Sequence, residues 1–294
     1  MLAVGALAGC AVAATALPVT AGAKTHPAAL VCHGTTARPG VLAGTVDRSV
    51  VVRGTCDVDH GTATVHGSVT VAPKGVLNAT FGLDDRTHTG VSDLTITGSL
   101  VVERGAVAMV GCEAAAFRCT DDDPNSPTLS DRISVDRNLV AIDALGVVAH
   151  RTSVRGSVTQ VGGGGGITCA KSAPVFRVLR NPVFSDYEDD SIGGSLSISG
   201  LRSCWLGTLR DHVRHGFTLH DDRLADADAI EIGTNVIGGN LVCTDDTKVW
   251  DSNDIGANLY PRQFDPNGVR GRREGQCVRS TALTMGGPTG QHPF

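Results

Sequence analysis

Aromatic residues are scarce in this sequence, and the short motifs that mark the common enzyme classes are missing. Phe, Trp and Tyr make up 4% of the 294 residues, so Val, Ile, Leu and Ala must fill most of any buried core. The nucleophile elbow G-x-S-x-G, the P-loop, the dinucleotide motif G-x-G-x-x-G and the zinc-protease motif H-E-x-x-H are absent. The sequence therefore assigns no catalytic residue and favours a non-enzymatic protein over an enzyme.

An excess of basic residues is also missing. The formal net charge is -5, whereas domains that bind nucleic-acid phosphates usually carry a basic stripe. The densest basic run, Arg270, Arg272 and Arg273, lies beside Glu274 and has no aromatic stacking platform with it. We therefore predict no nucleic-acid partner. Arg greatly outnumbers Lys, a bias that is associated with GC-rich bacterial genomes.

The N-terminal segment has the features of an export signal. Residues 1–23 contain no charged residue and end in A-G-A at 21–23, the small-x-small pattern of a signal-peptidase site. This pattern predicts a secreted, extracellular protein. A second interpretation stays open, because L-A-G-C at 7–10 matches a lipobox, in which Cys10 would be lipidated and anchor the protein at the cell surface. No later apolar run is long enough for a membrane helix, so we expect no transmembrane segment after the leader.

The cysteines favour disulfide bonds over a metal site. No C-x-x-C pair occurs, which argues against structural zinc. An even number of cysteines in an exported chain is typical of disulfides. The sequence does not fix their pairing, and we favour bonds between cysteines that follow each other in the chain. The eight candidates after the leader are Cys32, Cys56, Cys112, Cys119, Cys169, Cys204, Cys243 and Cys277.

Short alternating segments predict β-strands. Val50–Gly54, Ala63–Val71 and Leu94–Val102 are rich in β-branched residues with a period of two, and turn-forming residues bound them. A phrase of Gly, then Ser or Asn, then Val or Leu recurs at irregular spacings of 31, 58, 38 and 45 residues, as expected at the corners of stacked coils separated by loops. It begins at Gly67, Gly98, Gly156, Gly194 and Gly239. We predict an all-β fold, a single-stranded parallel β-helix (solenoid) with inserted loops and a polar C-terminal cap.

The domain organisation follows from this pattern. We expect a signal peptide at 1–23, an N-terminal lead-in at 24–40, the solenoid at 41–243 and a C-terminal cap or tail at 244–294. Two polar, turn-rich segments, 113–133 and 162–190, are expected to be loop insertions. The second begins with five consecutive glycines, Gly162–Gly166, which favour a flexible linker.

The last 50 residues resemble a group of exported bacterial β-helix proteins that are mostly uncharacterised. In that group the final coils end in G-N-L-x-C followed by G-x-C, as Gly239–Cys243 and Gly275–Cys277 do here. The long inserts and irregular spacing depart from the group's pattern. The resemblance implies a β-helix and export, and it implies no catalytic residue. A more distant similarity is to bactofilin-like polymer-forming β-helices, which lack a leader and cysteines, so only the coil principle carries over.

Histidine and acidic clusters are weak candidates for metal sites. His212, His215 and His220 could contribute ligands if one turn brought them together, although a solvated polar loop is the simpler interpretation. Calcium prefers carboxylate oxygens, and acidic runs occur at 121–123, 188–190 and 245–246. Asp251–Asp254 and Asp265–Gly268 resemble fragments of calcium loops, but neither has the closing Glu of an EF-hand, and turn chemistry is the simpler interpretation of both. We therefore expect no cofactor, with calcium as the alternative.

Three functions remain open. The preferred hypothesis is an exported, non-enzymatic β-solenoid that offers a structural or binding surface at the cell exterior, with a cell-envelope or extracellular polymer as a candidate partner. The first alternative is a carbohydrate-active β-helix enzyme, a polysaccharide lyase or hydrolase, which needs convergent carboxylates and an arginine in a groove. The second is an envelope protein that assembles end to end.

Overall fold

The structure is a computed structural model. It describes residues 27–114, 117–170, 175–176, 181–226, 229–247, 249–251 and 267–278. The predicted signal peptide, Cys10 and most of the expected C-terminal tail therefore lie outside the described residues.

The regular secondary structure of the described chain consists almost entirely of short β-strands. In its N-terminal half these are β1 (Leu30–Gly34), β2 (Gly40–Val41), β3 (Gly44–Val46), β4 (Val50–Asp57), β5 (Ala63–Val65), β6 (Val69–Val71), β7 (Val76–Ala79), β8 (Leu94–Ile96), β9 (Leu100–Val102), β10 (Val107–Val110), β11 (Ile133–Val135), β12 (Leu139–Ile142), β13 (Gly146–His150), β14 (Thr152–Val154) and β15 (Val158–Val161). In its C-terminal half they are β16 (Phe184–Glu188), β17 (Ser191–Ile192), β18 (Leu196–Ser199), β19 (Arg202–Ser203), β20 (Trp205–Leu209), β21 (His212–Val213), β22 (Phe217–His220), β23 (Arg223–Leu224), β24 (Ile230–Gly233), β25 (Val236–Ile237), β26 (Leu241–Thr244), β27 (Val249–Asp251), β28 (Gly268–Val269) and β29 (Arg273–Gly275), followed by a 3-10 helix at Gln276–Val278.

These strands stack into a parallel β-solenoid with three faces, which confirms the predicted fold class. Each coil contributes one strand to each face, and every pairing between named strands is parallel. The first face runs through β3, β5, β8, β11, β14, β17, β21, β25 and β28. The second contains β1, β4, β6, β9, β12, β15, β18, β22, β26 and β29, and the third contains β2, the end of β4, β7, β10, β13, β16, β20, β24 and β27.

Stacked aliphatic side chains fill the interior. Alternate residues point inward, and the parallel register places equivalent residues of successive coils directly above one another. One such stack on the second face consists of Val50, Val69, Leu100, Leu139, Val158, Leu196, Phe217 and Leu241, all buried. Burying each of these side chains contributes about 1.5–3 kcal/mol to the stability of the fold. A core with few aromatic residues is therefore sufficient to stabilise a narrow solenoid.

The recurring Gly-Ser phrase forms the corner between the first and second faces. Three residues separate the two faces in each described coil, and the Ser or Asn side chain of one coil accepts a hydrogen bond from the backbone of the next. Ser68 Oγ accepts from Ser99 N at 3.1 Å, and Asn138 Oδ1 accepts from Ser157 N at 2.9 Å. A Cβ on Gly67 would lie 2.6 Å from the backbone nitrogen of Ser49, so close backbone approach is what requires glycine there.

The solenoid extends beyond the expected boundaries. Strands β1 and β2 lie in the lead-in 24–40, and β27, β28 and β29 lie in the segment expected to be a cap. In the described part of the chain, three insertions lengthen the basic coil, at 80–93, 111–132 and 162–183. The first was not expected. The third ends at residue 183 and not at residue 190, because residues 184–188 form β16, a strand in which the polar residues are buried as well as the apolar ones.

The glycine run at 162–166 is an ordered connection, so the prediction of a flexible linker is wrong. All five glycines have positive φ. The amide of Gly164 donates to Ala144 O at 2.8 Å, and that of Gly166 donates to Arg202 O at 2.9 Å. A Cβ on Gly163 would lie 1.9 Å from Ala144 O. Gly163 and Gly164 are needed because the chain passes between two neighbouring coils without space for side chains, whereas Gly166 has free space and is favoured by its positive φ.

Four disulfides join the eight cysteines in sequential order. Cys32–Cys56 links the first two strands of the second face, and Cys243–Cys277 closes the last described coil. Within the insertions, Cys112–Cys119 closes a short loop and Cys169–Cys204 fastens the segment 162–183 to the coil that follows it. The bonds thus fix both ends of the solenoid and both long insertions.

Candidate functional site

The third face is the elaborated side of the molecule. Each of the three insertions begins or ends at one of its strands, β7, β10 or β16. An outer apolar layer covers this face, separate from the interior of the coils, and it includes Met109, Val148, Phe176, Phe184 and Trp205. Binding residues often lie on loops that a rigid scaffold positions, so this face is where we searched for a site.

An open groove of about 760 Å³ runs over the N-terminal coils of the third face. Its floor is formed by outward-facing residues of β4, β7 and β10, and its wall is formed by the 111–132 insertion with a contribution from Val175 and Asn181. The floor is mixed: Thr55 and Asp57 on β4 and Asn78 on β7 are polar, whereas Val76 on β7 and Met109 on β10 are apolar. Such a groove can accommodate an extended molecule that offers hydroxyl or amide groups.

Asp57 is the one acidic group on the groove floor. Burial raises the pKa of this carboxyl to about 6, and the neighbouring Asp59 adds to the effect. Its Oδ1 has no hydrogen-bond partner among the described residues. At the far wall, Thr80 donates to Asn78 Oδ1 at 2.7 Å and lies 2.8 Å from Thr120 Oγ1. The groove therefore combines hydroxyl and amide groups with the Asp57 carboxyl on its floor, while Asp122 in its wall accepts hydrogen bonds from the backbone of its own insertion.

A buried polar cluster lies on the same face, next to the groove. His150 on β13 is fully buried, with Nε2 3.2 Å from Asp186 Oδ2 and Nδ1 3.8 Å from Glu188 Oε2. The ring of Phe117 stacks on the imidazole with 4.6 Å between centroids and an interplanar angle of 22°. Because Phe117 also lines the groove, its side chain separates the cluster from the open space.

Arg210 neutralises part of this cluster. Its Nη2 lies 2.6 Å from Glu188 Oε2 and 2.6 Å from Asp189 Oδ2, while Nε contacts both oxygens of Asp189. Asp189 and Arg210 occupy the same corner of successive coils with φ values of 55° and 60°, so the corner holds their side chains one above the other. Glu113, from the 111–132 insertion, lies against Asp189, which together with burial raises the pKa of Glu113 to about 7.

Burial dominates the proton affinities in the cluster. It lowers the pKa of His150 to about 4 and raises that of Glu188 to about 7, and it raises the pKa of Asp186 well above its ordinary value. Burial also opposes ionisation of Asp189, but hydrogen bonds from Arg210 outweigh it and lower that pKa. Burial therefore opposes charge on His150 and Asp186, whereas Asp189 and Arg210 form an ion pair.

The structure does not bring the predicted metal residues together. His212, His215 and His220 are exposed and lie along β21, the following corner and β22. Among the described residues, two groups place three ligand atoms within 4.8 Å of one another, and neither contains these histidines. In the acidic run 121–123, Asp121 accepts hydrogen bonds from the backbone of the 80–93 insertion, and Asp122 accepts them from the backbone of its own insertion. These two carboxylates therefore hold the insertions in place.

Sequence analysis missed the His150 cluster because its members are far apart in the chain. One signal could have found it. The corner phrase at Gly156 recurs at Gly194, 38 residues later, and the same offset places His150 beside Glu188 in the register of β13 and β16. Aligning the two coils on their corners therefore predicts the contact.

No helix in the described part of the chain is long and apolar enough to cross a membrane. Comparisons with protein-family models, curated proteins and solved structures found no match to this chain.

Proposed function

We propose that this chain is an exported, non-enzymatic β-solenoid that binds an extended polymer of the cell envelope or extracellular space in the groove of its third face. The observation that carries the proposal is the groove itself, which is open, is lined by hydroxyl and amide groups among apolar side chains, and lies on the face that the three described insertions border. Its floor crosses the neighbouring parallel strands β4, β7 and β10, which stack about 4.8 Å apart. An elongated groove of this kind suits a chain-like partner better than a compact one.

Two observations support export. The leader 1–23 has the pattern of a signal peptide, and four disulfides are typical of oxidising compartments. The test is the intact mass of the protein from its native host. A chain that starts at Lys24 supports soluble secretion, and a chain with diacylglycerol on Cys10 supports a surface anchor. A chain that keeps its leader and eight free thiols contradicts export.

Polymer binding is tested by sedimentation with peptidoglycan sacculi, cellulose and chitin. Asn78→Trp places a large side chain on the groove floor, and we expect it to lower the affinity for the bound polymer about tenfold or more. Thr159→Trp is the matched control, because Thr159 points outward from the middle of β15 on the second face. Equal binding by both variants, or no retention on any polymer, contradicts the proposal.

A carbohydrate-active enzyme is the second candidate. The observation that favours it is the convergence of Glu113, Glu188 and Asp189 around Arg210. Burial of this cluster behind Phe117 favours binding over catalysis. Incubation of the protein with soluble polysaccharides distinguishes the two, since new reducing ends or unsaturated products, lost in Glu188→Gln, would establish an enzyme.

A further inference from the structure

His150, Asp186 and Glu188 direct potential ligand atoms toward one point beneath the third face. A ring nitrogen and one oxygen of each carboxylate lie within 4.8 Å of one another, and all three residues are buried. Ligand atoms bonded to one ion at 2.0–2.2 Å lie about 3.3–3.6 Å apart in a tetrahedral site. The observed separations thus exceed those of a closed tetrahedral shell by about 1.5 Å at most.

The charges around this point are unbalanced. Arg210 contacts Glu188 and Asp189, whereas the nearest ion-pair partner of Asp186 is the imidazole of His150. Both oxygens of Asp186 are buried without a hydrogen-bond partner among the described residues. A buried carboxylate without such partners costs several kcal/mol. A divalent cation between Asp186 and Glu188 would offset that cost.

The other group with three converging ligands does not compete for this role. It consists of Cys169, Cys204 and Asp226, but the two cysteines form a disulfide. Their sulfur atoms are therefore not thiolates, which are the form that binds metal ions.

We propose that His150, Asp186 and Glu188 bind one divalent transition-metal ion, and that zinc is the ion that fits them best. Zinc accepts one imidazole nitrogen together with carboxylate oxygens. Calcium takes six to eight oxygen ligands, which a small site with a nitrogen donor does not supply. The ion would join β13 to β16 beneath the ring of Phe117, with a water molecule as its fourth ligand. Its binding does not depend on a ligand in the groove.

The experiment is a zinc titration of the full-length exported protein after EDTA treatment, followed by calorimetry and by metal analysis of the desalted protein. We expect about one zinc ion per chain and a higher Tm with zinc. Asp186→Asn keeps the shape of the side chain but removes a ligand charge, and we expect it to weaken zinc binding about 100-fold or more and to abolish the rise in Tm.

Two controls make the result specific. Asp222→Asn changes another buried carboxylate, on the corner between the second and third faces, and is expected to bind zinc as the unchanged protein does. The triple variant His212→Gln, His215→Gln, His220→Gln removes the exposed histidines and is also expected to keep the site. Far-UV circular dichroism establishes that each variant is folded.

Three results would overturn the proposal. They are a desalted protein without zinc, equal affinity in Asp186→Asn and the unchanged protein, and loss of binding in the triple histidine variant. Tighter binding of calcium than of zinc would overturn the assignment of the ion.

Discussion

Buried acidic residues form a hydrogen-bonded column along the corner between the third and first faces. Thr152 N donates to Asp190 Oδ1, Asp190 N to Asp211 Oδ1, and Asp211 N to Asn235 Oδ1, at 2.7–2.9 Å. Asn267 continues the column by accepting from Asn235 N. Each side chain thus caps the backbone of the preceding coil at a point where the strand ladder is interrupted by the turn.

The aspartates and asparagines of this column differ in the hydrogen bonding of the second polar atom of the side chain, which is Oδ2 in aspartate and Nδ2 in asparagine. Asn235 Nδ2 donates to Thr208 O, and Asn267 Nδ2 donates to Ile232 O. By contrast, Oδ2 of Asp211 has no hydrogen-bond partner among the described residues. Burial, and then the other acidic groups nearby, raise the pKa of Asp211 well above its ordinary value. An amide therefore suits this corner better than a carboxylate at neutral pH.

This difference predicts opposite effects of two reciprocal substitutions. Asp211→Asn should stabilise the protein at pH 8 by about 1–3 kcal/mol, because it removes a buried charge and adds a donor. Asn235→Asp should destabilise it by a similar amount. Urea unfolding at pH 8 with EDTA measures both. Destabilisation by both substitutions would show that the column requires the specific residue in each coil rather than an amide.

The identities of these corner residues were only partly predictable from the sequence. The Val and Leu alternation predicted the strands, because a period of two places every second residue in the core. The Gly-Ser phrase predicted one corner, because each copy is a continuous segment of three residues that can be recognised without knowing the spacing between coils. The Asp column and the pairing of Tyr187 with the buried Gln160 depend on residues about one coil apart, and insertions of different length hide that spacing.

At the scale of single elements, the corner between the first and second faces distinguishes two kinds of glycine. A Cβ on Gly67 would meet backbone atoms at 2.6–2.9 Å, whereas a Cβ on Gly216 would have its nearest neighbour, Asn240 O, at 3.4 Å. Gly216 occupies the position that Ser195 and Asn240 hold in the adjacent coils. A serine there has space and a backbone amide to accept from.

We therefore expect Gly67→Ala to destabilise the protein by about 1–3 kcal/mol through overpacking. Gly216→Ser should stabilise it by about 0.4–1 kcal/mol, since it restricts the unfolded chain and extends the row of corner hydrogen bonds. Thermal unfolding of the two variants side by side tests this. A similar loss of thermal stability in both variants would mean that the corner does not accommodate a side chain at either position.

The 111–132 insertion acts as a cover through Phe117. Phe117→Ala removes the ring that stacks on His150, so we expect His150 to react with diethyl pyrocarbonate in the variant but not in the unchanged protein. His220, which is exposed in β22, reacts in both and calibrates the rate. Peptide mapping identifies the modified histidine. Modification of His150 in the unchanged protein would mean that the insertion does not close over the cluster.

At the scale of the whole molecule, buried carboxyls give the protein an unusual pH dependence. Burial raises the pKa of Asp131 to about 8 and that of Asp222 to about 7. A carboxyl with a raised folded-state pKa binds its proton more tightly in the folded state. Its contribution is complete below the unfolded-state pKa near 4 and is lost as the pH rises through 7 and 8. His150, with a lowered pKa, acts in the opposite direction only below about pH 6.5.

We predict that the free energy of unfolding falls by at least about 1 kcal/mol between pH 6.5 and pH 8.5. Urea unfolding at several pH values with EDTA measures the slope. Asp222→Asn should make the slope shallower, because it removes one of the titrating groups. A stability that rises over this interval would contradict the assignment of raised pKa values to these carboxyls.

The disulfides at the two ends determine how the stack responds to mechanical load. In a solenoid each coil is held only by its neighbours, so tension along the axis would normally peel coils from an end, one after another. Cys32–Cys56 and Cys243–Cys277 fasten the outermost described coils covalently to their neighbours. We therefore expect the oxidised protein to resist peeling from the outermost described coils, and to unfold under a lower force once these two disulfides are reduced.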